Sequence, residues 1–266
     1  MIDSIHTPFD PKQLKYGRDG VPILKATEIE QIATELLEKH SPMVLRKPAM
    51  TPVIEIIDAL GKTTKLRCAF TDLGTRGNAK ILGKVNFTQK LLSLDTLLTT
   101  DREIQMRFTA AHEIGHWILH RWNYKNWRFS SSSPAEDNLE DDEGTLCRLE
   151  QLSPRDWLEW QANVFAASLI MPRATFQKAL IAAQKSFGIM KNIGIVWVSN
   201  AGYSRSDLSR IADYLSNIYA VSPASVRVRL NTLELIYDEA AVRTRSMNDV
   251  LNSENFLSSG ASRDSC

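Results

Sequence analysis

Apolar residues recur at three- and four-residue intervals along two long segments of this chain, an interval typical of helices with one buried face. In the first segment the apolar residues are Phe108, Ala111, Gly115, Ile118 and Leu119. In the second they are Ala162, Phe165, Ala166, Leu169 and Ile170. Ser153 and Pro154 are favoured residue types at a helix start, and Pro172 is placed to end the helix. The pattern therefore predicts two long core helices.

Shorter elements are predicted before the first long helix. Thr27 and Glu30 have the spacing of a capping box, so a helix is expected to begin there. A second helix is expected over residues 51–61, with a proline near its start and a glycine at its end. Alternating apolar and polar residues predict strands at 65–70 and 84–88.

After the second long helix, the pattern predicts a further helix to about residue 186 and a strand at 193–198. Two more helices are expected to begin at Ser206 and Ser222. Two short helices joined by a brief turn resemble a helix-turn-helix. The same two helices are also expected if the segment only packs against the core and supports it. We favour this second interpretation because the segment carries few basic residues.

These elements predict an α+β fold with a small antiparallel sheet beside the first long helix. An extended arm is expected at residues 1–23 and a core domain at 24–186. Within the core, an acidic loop at 130–152 would connect the two long helices. A C-terminal helical subdomain is expected at 187–240, and a flexible tail at 241–266.

Composition narrows the class of protein. Of the 266 residues, 43% are hydrophobic and 24% are charged, as is usual for a globular protein. The formal net charge of +1 gives no general attraction to nucleic acid or to a membrane surface. The three cysteines are scattered and predict no disulfide framework. Because no signal peptide or membrane segment is recognisable, a cytoplasmic protein is expected. The low net charge makes direct binding of nucleic acid an unfavoured expectation.

The first long helix contains the motif H-E-x-x-H, formed by His112, Glu113 and His116. Residues four apart lie nearly on one face of a helix, so both imidazoles can reach one metal ion. Glu113 follows the first histidine, where its carboxylate can take a proton from a water at the metal. Two nitrogen ligands, an open position and a base are what zinc-dependent hydrolysis requires. The sequence therefore predicts a Zn²⁺ site with Glu113 as the general base.

A third metal ligand is expected from the second long helix. His120 lies eight residues after His112, about 12 Å along the helix, and zinc–nitrogen bonds are only about 2 Å long. His120 is therefore interpreted as a helix-end residue that interacts favourably with the C-terminal dipole. Glu159 is a carboxylate beside an apolar helix face, where a metal ion would be a suitable partner. Asn163, one turn later, is expected to hold a ligand imidazole in place.

Together these motifs resemble the ImmA/IrrE family of zinc metallo-endopeptidases. The resemblance is carried by R-F-T-x-A and H-E-x-x-H in residues 107–116, and by E-x-x-A-N-x-F-A-A-x-L-x-M-P in residues 159–172. It implies a gluzincin-like core with the same three zinc ligands and the same base that the residues themselves indicate. It also implies an intracellular protease that cleaves a helix-turn-helix transcriptional repressor, in transcription regulation or a stress response.

Two features of the catalytic site stay open at this point. Tyr203 and Arg173 are both conceivable donors to the oxyanion that forms during peptide hydrolysis. The acidic residues between 136 and 143 are expected either to form a solvated loop or to select basic substrates by charge.

Two alternative functions also remain. One is a zinc-bearing protein that binds a partner without catalysis, although Glu113 would then have no evident purpose. The other is a DNA-binding regulator that uses residues 206–235, with Arg227 and Arg229 contacting phosphates.

Overall fold

A computed structural model gives the chain a mixed fold that is mostly helical, with small sheets beside the helices. It describes residues 14–17, 20–76, 79–99, 102–122, 124, 153–199 and 202–239. The predicted α+β class is confirmed. Within these ranges no helix combines the length and the apolar character that crossing a membrane requires.

The first helices of the described chain are α1 (Ala26–His40), α2 (Met43–Arg46) and α3 (Val53–Thr64). The apolar face of α1 is buried through Ile29, Ile32, Ala33, Leu36 and Leu37. The predicted capping box of Thr27 and Glu30 is wrong, because the Glu28 carboxylate accepts the backbone N–H of Lys25 at 2.7 Å. Glu30 is instead engaged by arginines from the C-terminal half of the chain.

The following segment is strand-rich and contains β1 (Arg67–Thr71), β2 (Thr75–Arg76), β3 (Ala79–Lys80), β4 (Gly83–Asn86) and β5 (Leu91–Asp95). The main sheet has the order β1-β5-β4, in which β5 is parallel to β1 and antiparallel to β4. The prediction of an antiparallel sheet is therefore wrong for one of its two pairings. The chain reverses before β4 and again after it, so β5 runs in the direction of β1.

The centre of the fold is formed by α4 (Glu103–His120) and α5 (Pro154–Ile170), which pack against each other. The predicted start of α5 is confirmed, because the Ser153 hydroxyl accepts the backbone N–H of Asp156 at 3.2 Å. The helices approach closely at Gly115. A Cβ atom there would lie 3.2 Å from backbone atoms of Ala162 and from the Cβ of Phe165. Close packing explains a glycine where alanine would favour the helix by about 1 kcal/mol.

The C-terminal region contains α6 (Arg173–Ser186), β6 (Val196–Val198), α7 (Gly202–Tyr219), α8 (Pro223–Thr232) and β7 (Ile236–Asp238). The last strand pairs in parallel with β6. On α8, the buried Arg229 forms an ion pair with Glu30 of α1 and donates to the backbone carbonyl of Met171 at 3.1 Å. These contacts fasten α8 to the core helices.

The boundaries of the predicted domains stay predictions, as does the helix-turn-helix character of the C-terminal region. The acidic loop predicted at 130–152 lies outside the described residues, as does the tail predicted at 241–266.

Candidate metal centre

Three potential metal-binding atoms converge where α4 packs against α5. The Nε2 atoms of His112 and His116 are 3.0 Å apart. The Oε2 atom of Glu159 is 3.1 Å from Nε2 of His112 and 3.4 Å from Nε2 of His116. Neighbouring ligands of a tetrahedral zinc ion with bonds of about 2.0–2.1 Å lie about 3.3 Å apart. The three atoms therefore fit one face of a zinc tetrahedron, and the fourth corner is left for another ligand.

Asn163 contacts the ring nitrogen of His112 that faces away from the convergence point. Its Oδ1 atom is 2.9 Å from Nδ1 of His112. Because an amide oxygen can only accept a hydrogen bond, Nδ1 carries a hydrogen, and Nε2 is the nitrogen that can bind a metal ion in place of a proton shared with Glu159. The structure thus brings Asn163 to the imidazole of His112, a candidate ligand, and its effect on metal binding stays a prediction.

His120 is the last residue of α4, as predicted, but it is buried one turn beyond His116, so the favourable interaction expected with the helix dipole is not supported. Its Nδ1 atom is 2.9 Å from Nδ1 of His116, and its Nε2 atom is 3.0 Å from Oε1 of Gln161. Burial, together with the charge of His116, lowers the pKa of His120 well below its ordinary value. An uncharged imidazole gains little from the helix dipole. At this buried end of α4, His120 is in contact with Gln161 of α5.

Glu113 is buried between α4 and β4. The backbone N–H of Val85 donates to its carboxylate, whereas its Oε1 atom has no hydrogen-bond partner among the described residues. Burial raises the pKa of Glu113, although the charges of His116 and His112 oppose the rise. A Cβ atom at Gly83 would lie 2.6 Å from Oε1 of Glu113, so glycine leaves the space that this carboxylate occupies. A carboxylate with a raised pKa and an uncommitted oxygen is suited to accept a proton.

The electrostatics of the three converging residues favour a positive charge between them. Burial would raise the pKa of Glu159, but its hydrogen bonds with His112 and His116 outweigh burial and hold that pKa well below its usual range. Burial lowers the pKa of His112, but contact with Glu159 and the charge of Glu113 raise it by more. The carboxylate thus stabilises a cation held by the imidazoles, whether that cation is a proton or a metal ion.

Arg107, which belongs to the first motif of the family resemblance, has a structural contact. Its Nη2 atom donates to the backbone carbonyl of Thr51 at 2.9 Å, and the Thr51 hydroxyl donates to the carbonyl of Leu169 at 3.0 Å. Arg107 therefore links α4 to the segment before α3 and to the end of α5.

The structure does not place either candidate oxyanion donor, Arg173 or Tyr203, at the converging residues. Arg173 donates to Glu30 at 2.8 Å, and the side chain of Tyr203 lies outside the described residues. Sequence reasoning missed Gln161 and Gly83 at the centre, and it did not foresee the contacts of His120 with His116 and Gln161. A signal existed for Gln161, because it is an amide next to the apolar face of α5 and so required a buried partner.

Comparison with known protein families gives a match for one segment of this chain. Residues 96–186 match the family model Peptidase_M78, described as the IrrE N-terminal-like domain. The resemblance drawn from the two motifs is thereby confirmed for this segment, which contains both α4 and α5. No curated protein matches the chain.

One solved structure with a similar trace is a Mycobacterium tuberculosis transcriptional regulator, with 13% sequence identity and a TM-score of 0.46. The match covers 77% of this chain but only 46% of that regulator.

Proposed function

We propose that this protein is a zinc-dependent endopeptidase of gluzincin type. The observation that carries the proposal is the convergence of His112, His116 and Glu159 at 3.0–3.4 Å, with the buried carboxylate of Glu113 on the same helix. The match of residues 96–186 to the Peptidase_M78 model supports the same reading.

The donor set supports zinc as the metal. Two imidazole nitrogens and one carboxylate oxygen form a ligand set used by catalytic zinc, and they leave one position open. When bound, zinc would polarise the scissile carbonyl and lower the pKa of a water molecule toward about 7. In the proposed site, Asn163 orients His112 so that its Nε2 lone pair faces the ion.

Glu113 is proposed to move the proton during hydrolysis. Its carboxylate would remove a proton from the attacking water and later deliver that proton to the leaving amine. The raised pKa supports both steps, because it brings the carboxyl group closer to the working pH. The N–H of Val85 would hold the carboxylate in position throughout.

The proposed path for the substrate runs along β4. This strand is an edge of the β1-β5-β4 sheet, and its Gly83 lies against Glu113. An extended peptide can add to a strand edge through its backbone, which would bring a scissile bond beside the base. The proposed substrate is a helix-turn-helix repressor in the cytoplasm, as the family resemblance implies.

Direct DNA binding by the C-terminal helices is not part of the proposal. Of the two arginines considered for phosphate contacts, Arg229 is buried and paired with Glu30. Arg227 alone would give too small a basic footprint for DNA.

The test is incubation of the zinc-loaded protein with repressors encoded beside its gene, followed by mass spectrometry of the fragments. We expect cleavage of one repressor at a defined bond, no cleavage after zinc removal by a chelator, and no general digestion of casein. Absence of cleavage in every zinc-loaded mixture would favour the non-catalytic alternative.

A further inference from the structure

A chain of buried hydrogen bonds runs from the proposed metal ligand His116 to the backbone ahead of α1. Nδ1 of His116 is 2.9 Å from Nδ1 of His120, and Nε2 of His120 is 3.0 Å from Oε1 of Gln161. The Nε2 amide nitrogen of Gln161 then donates to the carbonyl of Pro22 at 2.7 Å. The three side chains are each only 1% exposed, so water does not compete for these bonds.

The direction of every hydrogen bond in this chain follows from its Pro22 end. A backbone carbonyl can only accept, so the NH₂ group of Gln161 faces Pro22 and its oxygen faces His120. That oxygen also only accepts, so Nε2 of His120 carries a hydrogen. A neutral imidazole has a single N–H, and therefore Nδ1 of His120 is a lone pair that accepts from Nδ1 of His116.

The geometry points to a positioning role: we propose that His120 and Gln161, anchored on Pro22, hold His116 in the tautomer that leaves Nε2 free to bind a metal. With the hydrogen on Nδ1, the Nε2 lone pair of His116 faces Nε2 of His112 at 3.0 Å. The opposite tautomer would direct an N–H into the point where the three donors meet and would exclude a cation from it.

This inference rests on the proposed metal site but not on peptide cleavage. It assigns to Pro22, in the segment before α1, an influence on a metal site built from α4 and α5. In this arrangement Asn163 contacts His112 directly. His116 contacts His120, which is held in turn by Gln161. In other metal sites, mutation of a residue that hydrogen-bonds to a ligand imidazole typically lowers metal affinity by about 10–100-fold.

The first test reads the tautomer directly in the metal-free, full-length protein at mildly alkaline pH. Nitrogen-15 labelling of histidine is practical because the chain has only five histidines. We expect the spectrum of His116 to show a protonated Nδ1, including when Nε2 shares a proton with Glu159 in the absence of metal. An unprotonated Nδ1 of His116 in the wild-type protein would overturn the proposal, and this measurement needs no variant to fold.

The second test compares zinc affinities by competition with a chelator. His120→Leu removes the acceptor for His116, and Gln161→Met removes the acceptor for His120, so each variant should bind zinc about 10–100-fold more weakly. His120→Asn places an amide oxygen near the former Nδ1 atom and should recover much of the loss.

The matched control is Ser168→Ala, which changes another buried polar residue of α5 outside this hydrogen-bond chain and should keep the wild-type affinity. Wild-type tautomer and wild-type affinity in His120→Leu would contradict the proposal. A protein that binds zinc as expected but cleaves no repressor would refute the proposed peptidase activity and leave this positioning role intact.

Discussion

The Nε2 atoms of His112 and His116 face each other at 3.0 Å, and the Oε2 atom of Glu159 lies within 3.4 Å of both. Without a proton or a metal ion between them, two imidazole nitrogens and a carboxylate oxygen at this spacing would repel one another. The arrangement is therefore that of a cation site. Because His112 and His116 are four residues apart on α4, Glu113, the residue after His112, lies next to this site.

The first prediction concerns the ligand set. The purified protein should contain about one zinc ion per chain, and Glu159→Ala should lose most of it, because only two nitrogen ligands would remain. Glu103→Ala, which removes an exposed carboxylate from the start of α4, is the matched control. Metal analysis that finds full zinc occupancy in Glu159→Ala would reject Glu159 as a ligand.

The second prediction concerns the residue that orients His112. Asn163→Ala removes the acceptor for Nδ1 and should weaken zinc binding by about 10–100-fold without abolishing it. Chelator competition measures the change. An affinity equal to that of the wild-type protein would show that packing alone orients this imidazole.

Much of this site could be predicted from the sequence because its geometry is local. His112 and His116 are one turn apart on one helix, and Glu159 and Asn163 are one turn apart on another. Helical periodicity therefore fixes each pair before any tertiary contact is known. The need to satisfy a carboxylate beside an apolar face then brings the two pairs together.

The rest depends on how helices and strands are oriented in space. His120 meets Gln161 across 41 residues of sequence, and Glu30 meets Arg229 across 199, so no local pattern reveals either partner. The strand β5 was not predicted because four of its five residues are buried, which removes the alternation of a half-exposed strand. The contact of Gly83 with Glu113 likewise needs the placement of β4 beside α4.

The third prediction separates the base from the metal ligands. In Gly83→Ala the new Cβ would lie 2.6 Å from Oε1 of Glu113 and equally close to Cγ2 of Thr109, so the carboxylate must move. Repressor cleavage should fall by at least about tenfold while zinc affinity stays within about threefold, because the base contributes about 10²–10⁴-fold. Lys84→Ala, on the next residue of β4, controls for general damage to the strand. Unchanged cleavage in Gly83→Ala would mean that the position of Glu113 is not critical.

The fourth prediction is a pH dependence of zinc binding. In the metal-free protein the pKa of His112 lies above its ordinary value of 6.5, because contact with Glu159 outweighs the opposing effect of burial. Protons therefore compete with zinc for His112 up to a higher pH than they would for an ordinary imidazole. Below the raised pKa, apparent affinity should fall by about tenfold per pH unit for each proton displaced. Chelator titrations between about pH 6 and about pH 8 measure this dependence. A zinc affinity that stays constant over this range would contradict the prediction.

The most direct test of zinc-dependent peptide hydrolysis is a comparison of wild-type protein and Glu113→Gln, both loaded with zinc, on the same repressor. The amide is nearly isosteric with the carboxylate and keeps an oxygen for the N–H of Val85, but it cannot take a proton from water at neutral pH. We expect equal zinc content and equal thermal stability, with cleavage lowered by about 10²–10⁴-fold in Glu113→Gln. Cleavage at the wild-type rate would contradict the account, because Glu113 would then not be the base.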